Sequence, residues 1–232
     1  MKTSSKFRIL SLIVLAPLTS FTAAADLLEQ PLPAITNSLA TPELSPPKST
    51  IWPDGVGNGF LGSAKDVTVE AGAAAGMARL GSHQAHDLAL LSASYGHMLG
   101  GVVGQEHWYR GNFEGQIELF GGMQYRPSVD TDGWLVGLTP HLRYNFATGT
   151  RWVPFMDAGA GVTAMGIGPP DVSGTFEFNL QASAGVHWFL RDDVALTSDV
   201  RYTHYSCAGI HAPNSGINTV SFMVGVTWFF GK

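Results

Sequence analysis

A histidine and a serine stand two residues apart at His204 and Ser206, near the end of the alternating segment 194–206. Positions i and i+2 of a strand share one face, so this spacing places an imidazole beside a hydroxyl. A serine hydroxyl becomes a nucleophile when a histidine accepts its proton and a third group orients the ring. The pair therefore suggests hydrolysis of an ester or amide, if its strand lies beside a substrate.

Two other interpretations of the pair depend on its surroundings. Ser206 is not part of a G-x-S-x-G turn, so a soluble α/β-hydrolase is not indicated. An isolated His-x-Ser is more often an interfacial histidine that reaches towards lipid headgroups, followed by a serine at the end of a strand. The choice depends on the fold that carries residues 194–206.

Apolar and polar residues alternate with a period of two through most of the chain. In segment 176–190 the even positions are apolar or aromatic, whereas the odd positions carry residues such as Glu177, Asn179 and Gln181. Such alternation predicts strands with one apolar and one polar face. We predict strands at 66–80, 87–99, 111–122, 134–146, 151–165, 175–190, 194–206 and 219–230. These segments predict an all-β fold, an eight-stranded antiparallel transmembrane β-barrel.

Aromatic residues distinguish the membrane barrel from a soluble lipocalin-type barrel, which stays the competing architecture. They mark the ends of the apolar faces, as at Trp134 and Phe146, where outer-membrane barrels carry interfacial girdles. The final segment GVTWFFGK also resembles the C-terminal signal that the outer-membrane assembly machinery recognises. We therefore predict a bacterial outer-membrane location, with that machinery as a partner.

The first residues describe export rather than structure. Basic residues, an apolar run and Ala23–Ala25 follow one another as in a secretory signal peptide. We predict a signal peptide at 1–25, a proline-rich tether at 26–65 and the barrel at 66–232. The formal net charge of −5 and the lack of a basic cluster argue against a nucleic-acid partner. A single cysteine, Cys207, excludes an internal disulfide.

The direction of the seventh strand decides what His204 and Ser206 face. With both chain ends in the periplasm, segment 194–206 rises outward, and its odd positions, including Asp199 and Arg201, fit a polar lumen. His204 and Ser206 then face lipid. At about 3.3 Å per residue and a tilt of about 40°, they lie roughly 25 Å above Val194, at the outer-leaflet boundary.

The segment HYSCAGIHAPNSGIN (204–218) resembles the active-site segment of the lipid A 3-O-deacylases, which are eight-stranded outer-membrane barrels. The segment PFMDAGAGV (154–162) is similar as well. The resemblance implies a hydrolase that removes an ester-linked acyl chain from the lipid A of lipopolysaccharide. It also implies that Ser206 is the nucleophile and His204 the general base, without a cofactor or metal.

Two positions depart from the family pattern. The acidic member of the family's triad falls at Asn218, and the family asparagine that supports the oxyanion falls at Cys207. An asparagine orients an imidazole but does not stabilise imidazolium with a full charge. We expect Asn218 to orient His204. We expect Asn214 and the backbone amides from Cys207 to Gly209 to hold the oxyanion.

Other functions and sites stay open at this stage. A non-catalytic outer-membrane barrel that serves as a surface or adhesion protein is the alternative function. His83, His86 and His211 are interpreted as loop histidines, because no cysteine or carboxylate completes a metal-ligand set. A structural polar network in the lumen is predicted from Glu114, Glu118, Arg143, Glu177, Asp199 and Arg201.

Overall fold

The computed structural model describes residues 50–126 and 133–231. The predicted signal peptide (1–25) and the tether up to residue 49 lie outside the described residues. They stay predictions, and so does the boundary between tether and barrel.

Eight antiparallel strands form a closed barrel, as the alternating pattern predicts. Each strand pairs with the next along the chain, and the last pairs with the first. The strands are β1 (Lys65–Gly76), β2 (Asp87–Met98), β3 (Gly111–Arg126), β4 (Trp134–Phe146), β5 (Trp152–Met165), β6 (Phe176–Phe189), β7 (Val194–Ser206) and β8 (Ile217–Phe230). In the described ranges no helix is long and apolar enough to cross a membrane.

Two strand ends differ from the sequence prediction by more than two residues. β1 stops at Gly76, where its backbone lies against that of His86. A Cβ on Gly76 would lie 2.0 Å from the backbone nitrogen of His86. β3 continues beyond the glycine pair Gly121–Gly122 as far as Arg126, because its ladder with β2 persists there. Glycine weakens a strand, but here cross-strand pairing outweighs that preference.

The barrel is apolar outside and polar inside, the reverse of a soluble barrel. Buried side chains of the strands are mostly polar or charged, including all six residues predicted for the lumen network. The exposed faces carry large apolar side chains, among them Leu91, Ile117, Leu138, Met156, Leu180, Val200 and Phe222. This distribution suits a chain whose outer surface contacts lipid and whose narrow lumen is filled by side chains.

Ion pairs connect the strands across the lumen. Arg201 on β7 contacts Glu118 on β3 at 2.6 Å, and Arg143 on β4 contacts Asp157 on β5 at 3.0 Å. His141 lies between the two acids, 3.4 Å from Glu118 and 3.3 Å from Asp157. Buried charges are tolerated when they are paired in this way. The network therefore links the strands from the inside, while their other side chains form the outer face.

Residues 51–64 close one mouth of the barrel, which we call the plug end. Ile51, Trp52 and Phe60 are almost completely buried there. The Trp52 ring stacks on Phe60 with centroids 4.4 Å apart and meets Phe189 edge-on at 4.9 Å. Within the segment predicted as a tether, these residues therefore have aromatic side chains that are buried against the barrel.

Trp52→Ala should destabilise the barrel by about 3–5 kcal/mol, because it removes a fully buried indole and leaves a cavity. Trp108→Ala is the matched control, since Trp108 is 89% exposed. Chemical unfolding of both variants in lipid bilayers checks the expectation. Equal stability of the two variants would show that the plug contributes little to the fold.

Candidate active site

Strand β7 presents its side chains alternately to the lumen and to lipid. Arg201, Thr203 and Tyr205 are buried inside, whereas His204 and Ser206 lie half-buried on the outer face. On that face His204 is flanked by Leu180 of β6 and Asn218 of β8, its direct partners in the two ladders. The structure thus places His204 and Ser206 on the lipid-facing side, at the opposite end from the plug, which we call the site end.

His204 bridges Ser206 and Asn218. Its Nε2 lies 3.0 Å from the Ser206 Oγ, and its Nδ1 lies 2.8 Å from the Asn218 Oδ1. This is the order of a nucleophile, a general base and an orienting group. The three side chains meet because positions 204 and 206 share a face and position 218 is opposite 204.

Asn218 has further partners that the sequence did not indicate. The Tyr202 hydroxyl donates to its Oδ1 at 2.6 Å. Its Nδ2 donates to the Arg79 carbonyl at 3.1 Å and to the Ser82 Oγ at 2.8 Å. Tyr202 precedes His204 by two positions on the same face, so the period of the strand was a usable signal. Ser82 and Arg79 come from the distant connection between β1 and β2 and gave no local signal.

The predicted oxyanion residues lie in the turn after Ser206. The Cys207 amide donates to the Asn214 Oδ1 at 3.0 Å, which engages that amide and leaves the Asn214 Nδ2 as a donor. The Cys207 thiol is buried against the backbone of His211. Ala208 and Gly209 follow with positive φ angles of 52° and 82°. The roles of Cys207, Gly209 and Asn214 stay predictions.

Asp171, in the connection between β5 and β6, joins the loops around the site. Its carboxylate accepts the backbone N–H groups of His83 and Gln84 at 2.5 and 3.0 Å. It also contacts the imidazoles of His83 and His86, each at 3.0 Å. Its carbonyl accepts the N–H groups of Ser215 and Gly216. One acid therefore connects the segments before β2 and before β8.

This cluster revises the interpretation of the loop histidines. A carboxylate does accompany His83 and His86, although His211 lies elsewhere, against Cys207. Among residues 50–126 and 133–231 no group of three His, Cys, Asp or Glu side chains is arranged to hold a metal ion. Burial alone would raise the pKa of Asp171, but its hydrogen bonds from His83, His86 and Gln84 hold that pKa below its usual range.

A closed antiparallel barrel with a polar lumen and an apolar outer face is a transmembrane β-barrel of the outer-membrane type. The family model described as lipid A 3-O-deacylase (PagL) matches residues 90–227, which is more than half of the chain. The chain belongs to this family.

Solved structures agree with the fold. The outer-membrane enzyme PagL is 24% identical, with a TM-score of 0.52, over 69% of this chain and 97% of that chain. Neisserial surface protein A (NspA) is 17% identical, with a TM-score of 0.54, over 72% of this chain and 99% of that one. No curated protein sequence matches the chain significantly.

Gly216→Ala should displace the His204 ring. Gly216 has a φ of +76°, and a Cβ there would lie 2.7 Å from the His204 Cε1. The rate of ester hydrolysis by the variant should be at least tenfold lower than that of wild type, while the barrel stays folded. Gly55→Ala is the control, because it adds a Cβ at a φ of +97° with no atom closer than 3.9 Å. Full activity of Gly216→Ala would show that the imidazole position is not critical.

Acid should weaken the contacts by which Asp171 joins the loops around the site, because the pKa of Asp171 is lowered in the folded state. Its stabilising effect is complete above the unfolded pKa of about 3.9 and is lost as the pH falls through the lower folded value. Hydrogen-exchange protection of the His83 and Gln84 amides should decline over that range. Asp171→Asn should remove the dependence, whereas Asp193→Asn, at the plug end, should leave it intact.

Proposed function

We propose that this protein is an outer-membrane esterase that hydrolyses an ester-linked acyl chain of lipid A in lipopolysaccharide. The hydrogen bond of 3.0 Å between His204 Nε2 and Ser206 Oγ, on a lipid-facing surface, is the observation that carries the proposal. Membership of the lipid A 3-O-deacylase family supports the substrate class.

The reaction follows from the order of the three side chains. His204 Nε2 takes the proton of the Ser206 hydroxyl as Oγ attacks the acyl carbonyl carbon. The tetrahedral intermediate collapses when the protonated imidazole returns this proton to the leaving alcohol oxygen of lipid A. A water molecule, deprotonated by His204, then attacks the acyl-enzyme and releases the fatty acid together with free Ser206.

The turn after Ser206 supplies candidate donors for the negative charge that develops on the carbonyl oxygen. The backbone N–H groups of Ala208 and Gly209 and the Nδ2 of Asn214 are these donors, while the Cys207 amide is engaged by Asn214. Donors of this kind stabilise the oxyanion more than the ground state. They lie at the site end, in the connection that follows Ser206.

The outer face next to the pair suits an acyl chain. Phe178 and Leu180, the direct neighbours of Ser206 and His204 on β6, are exposed, as is Val200 further along β7. An acyl chain can lie along this surface without leaving the hydrocarbon layer. The sugar of lipid A then meets the polar loops of the site end. This arrangement requires export, insertion by the outer-membrane assembly machinery and a site end that faces the cell exterior.

One observation favours a second function. Asn218 carries no charge, so it does not stabilise the imidazolium as a carboxylate does. A non-catalytic outer-membrane barrel with a surface or adhesive role is the alternative on that ground.

Mass spectrometry of lipid A incubated with the detergent-folded protein decides between these functions. Wild type should release a fatty acid, and Ser206→Ala and His204→Ala should each lower the rate by at least about a thousandfold. Ser198→Ala is the matched control, because Ser198 lies on the same outward face of β7 and should retain full activity. Intact lipid A with wild type would favour the non-catalytic barrel.

A further inference from the structure

We propose that Ser82 is a positioning residue that sets the tautomer of His204, acting through the side-chain amide of Asn218. The inference rests on the proposed hydrolase and explains how an asparagine serves the site. Ser82 lies in the connection between β1 and β2 and is only 7% exposed. Its distance along the chain from Asn218 is 136 residues.

The first step fixes the hydroxyl proton of Ser82. The Ser82 Oγ lies 2.7 Å from the carbonyl oxygen of Gly216, which only accepts hydrogen bonds. The single hydroxyl proton is therefore donated to Gly216. Towards Asn218, at 2.8 Å, the Ser82 oxygen presents lone pairs and acts as an acceptor.

The second step fixes the amide of Asn218. An acceptor at Ser82 requires a donor, and the Arg79 carbonyl at 3.1 Å requires another. Only the NH₂ group of the asparagine supplies both hydrogens. The Asn218 oxygen must then point the other way, towards His204.

The third step fixes the imidazole. Because the Asn218 Oδ1 is an acceptor, the His204 Nδ1, 2.8 Å away, must carry the proton. The Nε2 then keeps its lone pair and accepts the proton of Ser206 at 3.0 Å. The Tyr202 hydroxyl, also a donor to Oδ1, supports the same orientation. A rotated amide would give the opposite tautomer, which has no base facing the serine.

The same contacts explain why this site fits an amide. Asn218 is 1% exposed, and its two donors and two acceptor positions all have partners. A carboxylate has no donor for the Arg79 carbonyl and would place two acceptors against each other in a buried position. The segment 79–82 and Asn218 thus form a matched set.

Ser82→Ala should lower kcat about tenfold and leave KM unchanged, since one buried hydrogen bond of the amide is lost and the rotated form becomes accessible. Ser82→Thr keeps the hydroxyl and should stay within a factor of about three of wild type. Heat-modifiable migration in gels verifies that each barrel is folded. Low activity of both folded variants would mean that the hydroxyl is not the cause and would overturn the proposal.

Nitrogen-15 spectra of histidine-labelled protein in micelles read the tautomer directly, with the His204 signal assigned by its loss in His204→Gln. Wild type and Ser82→Thr should carry the proton on Nδ1, and Ser82→Ala should show a second population protonated on Nε2. An unchanged tautomer in Ser82→Ala would sink the inference. If wild type released no fatty acid, the proposed function would fail, while the spectra would still decide the role of Ser82.

Discussion

Every backbone polar group in the hydrocarbon layer needs a partner within the protein, and the pairing of β8 with β1 meets that requirement. Closure fixes the register of every strand, and register decides which side chains face lipid and which fill the lumen. Polar side chains inside are then buried and form ion pairs, such as Arg201 with Glu118. The outer face is apolar except where polar side chains form hydrogen bonds with one another.

The candidate site is such an exception. Ser206, His204, Asn218 and Tyr202 form an unbroken chain of hydrogen bonds on the outer face. An isolated polar group beside lipid is costly, but each of these has a partner. A neutral amide in place of a carboxylate also lowers the cost of removing the group from water. The site therefore combines the order of a catalytic triad with a resting state whose orienting group carries no charge.

Loss of the acid in a serine-protease triad is known to be severe when the substituted amide selects the wrong histidine tautomer. In this protein the NH₂ group of Asn218 is held by Arg79 and Ser82, which turns the oxygen towards His204. The orientation of an amide beside a histidine therefore depends on the hydrogen bonds that its NH₂ group makes on the other side. Those contacts come from a loop far away in the chain, and they decide which side of the amide the histidine meets.

The period of two predicted the strands, the polar lumen and the outward direction of His204, because alternation is a local property of the chain. It did not predict the contacts of Ser82 or Asp171, which join residues more than 80 positions apart in the chain. His204 lies opposite Asn218 because of the register between β7 and β8. The alternation does not determine this register, and only the family resemblance indicated that the two residues belong to one site. The proline-rich composition before residue 51 predicted a tether and gave no sign that Trp52 and Phe60 are buried at the mouth of the barrel.

That surface has a consequence for the order of assembly. Trp52 and Phe60 pack against Phe189 and Phe229, which belong to β6 and β8. The docking surface of the N-terminal segment is complete only after the last strand has reached its place. The segment that precedes the barrel in the chain therefore completes its packing only when the closed barrel supplies both rings.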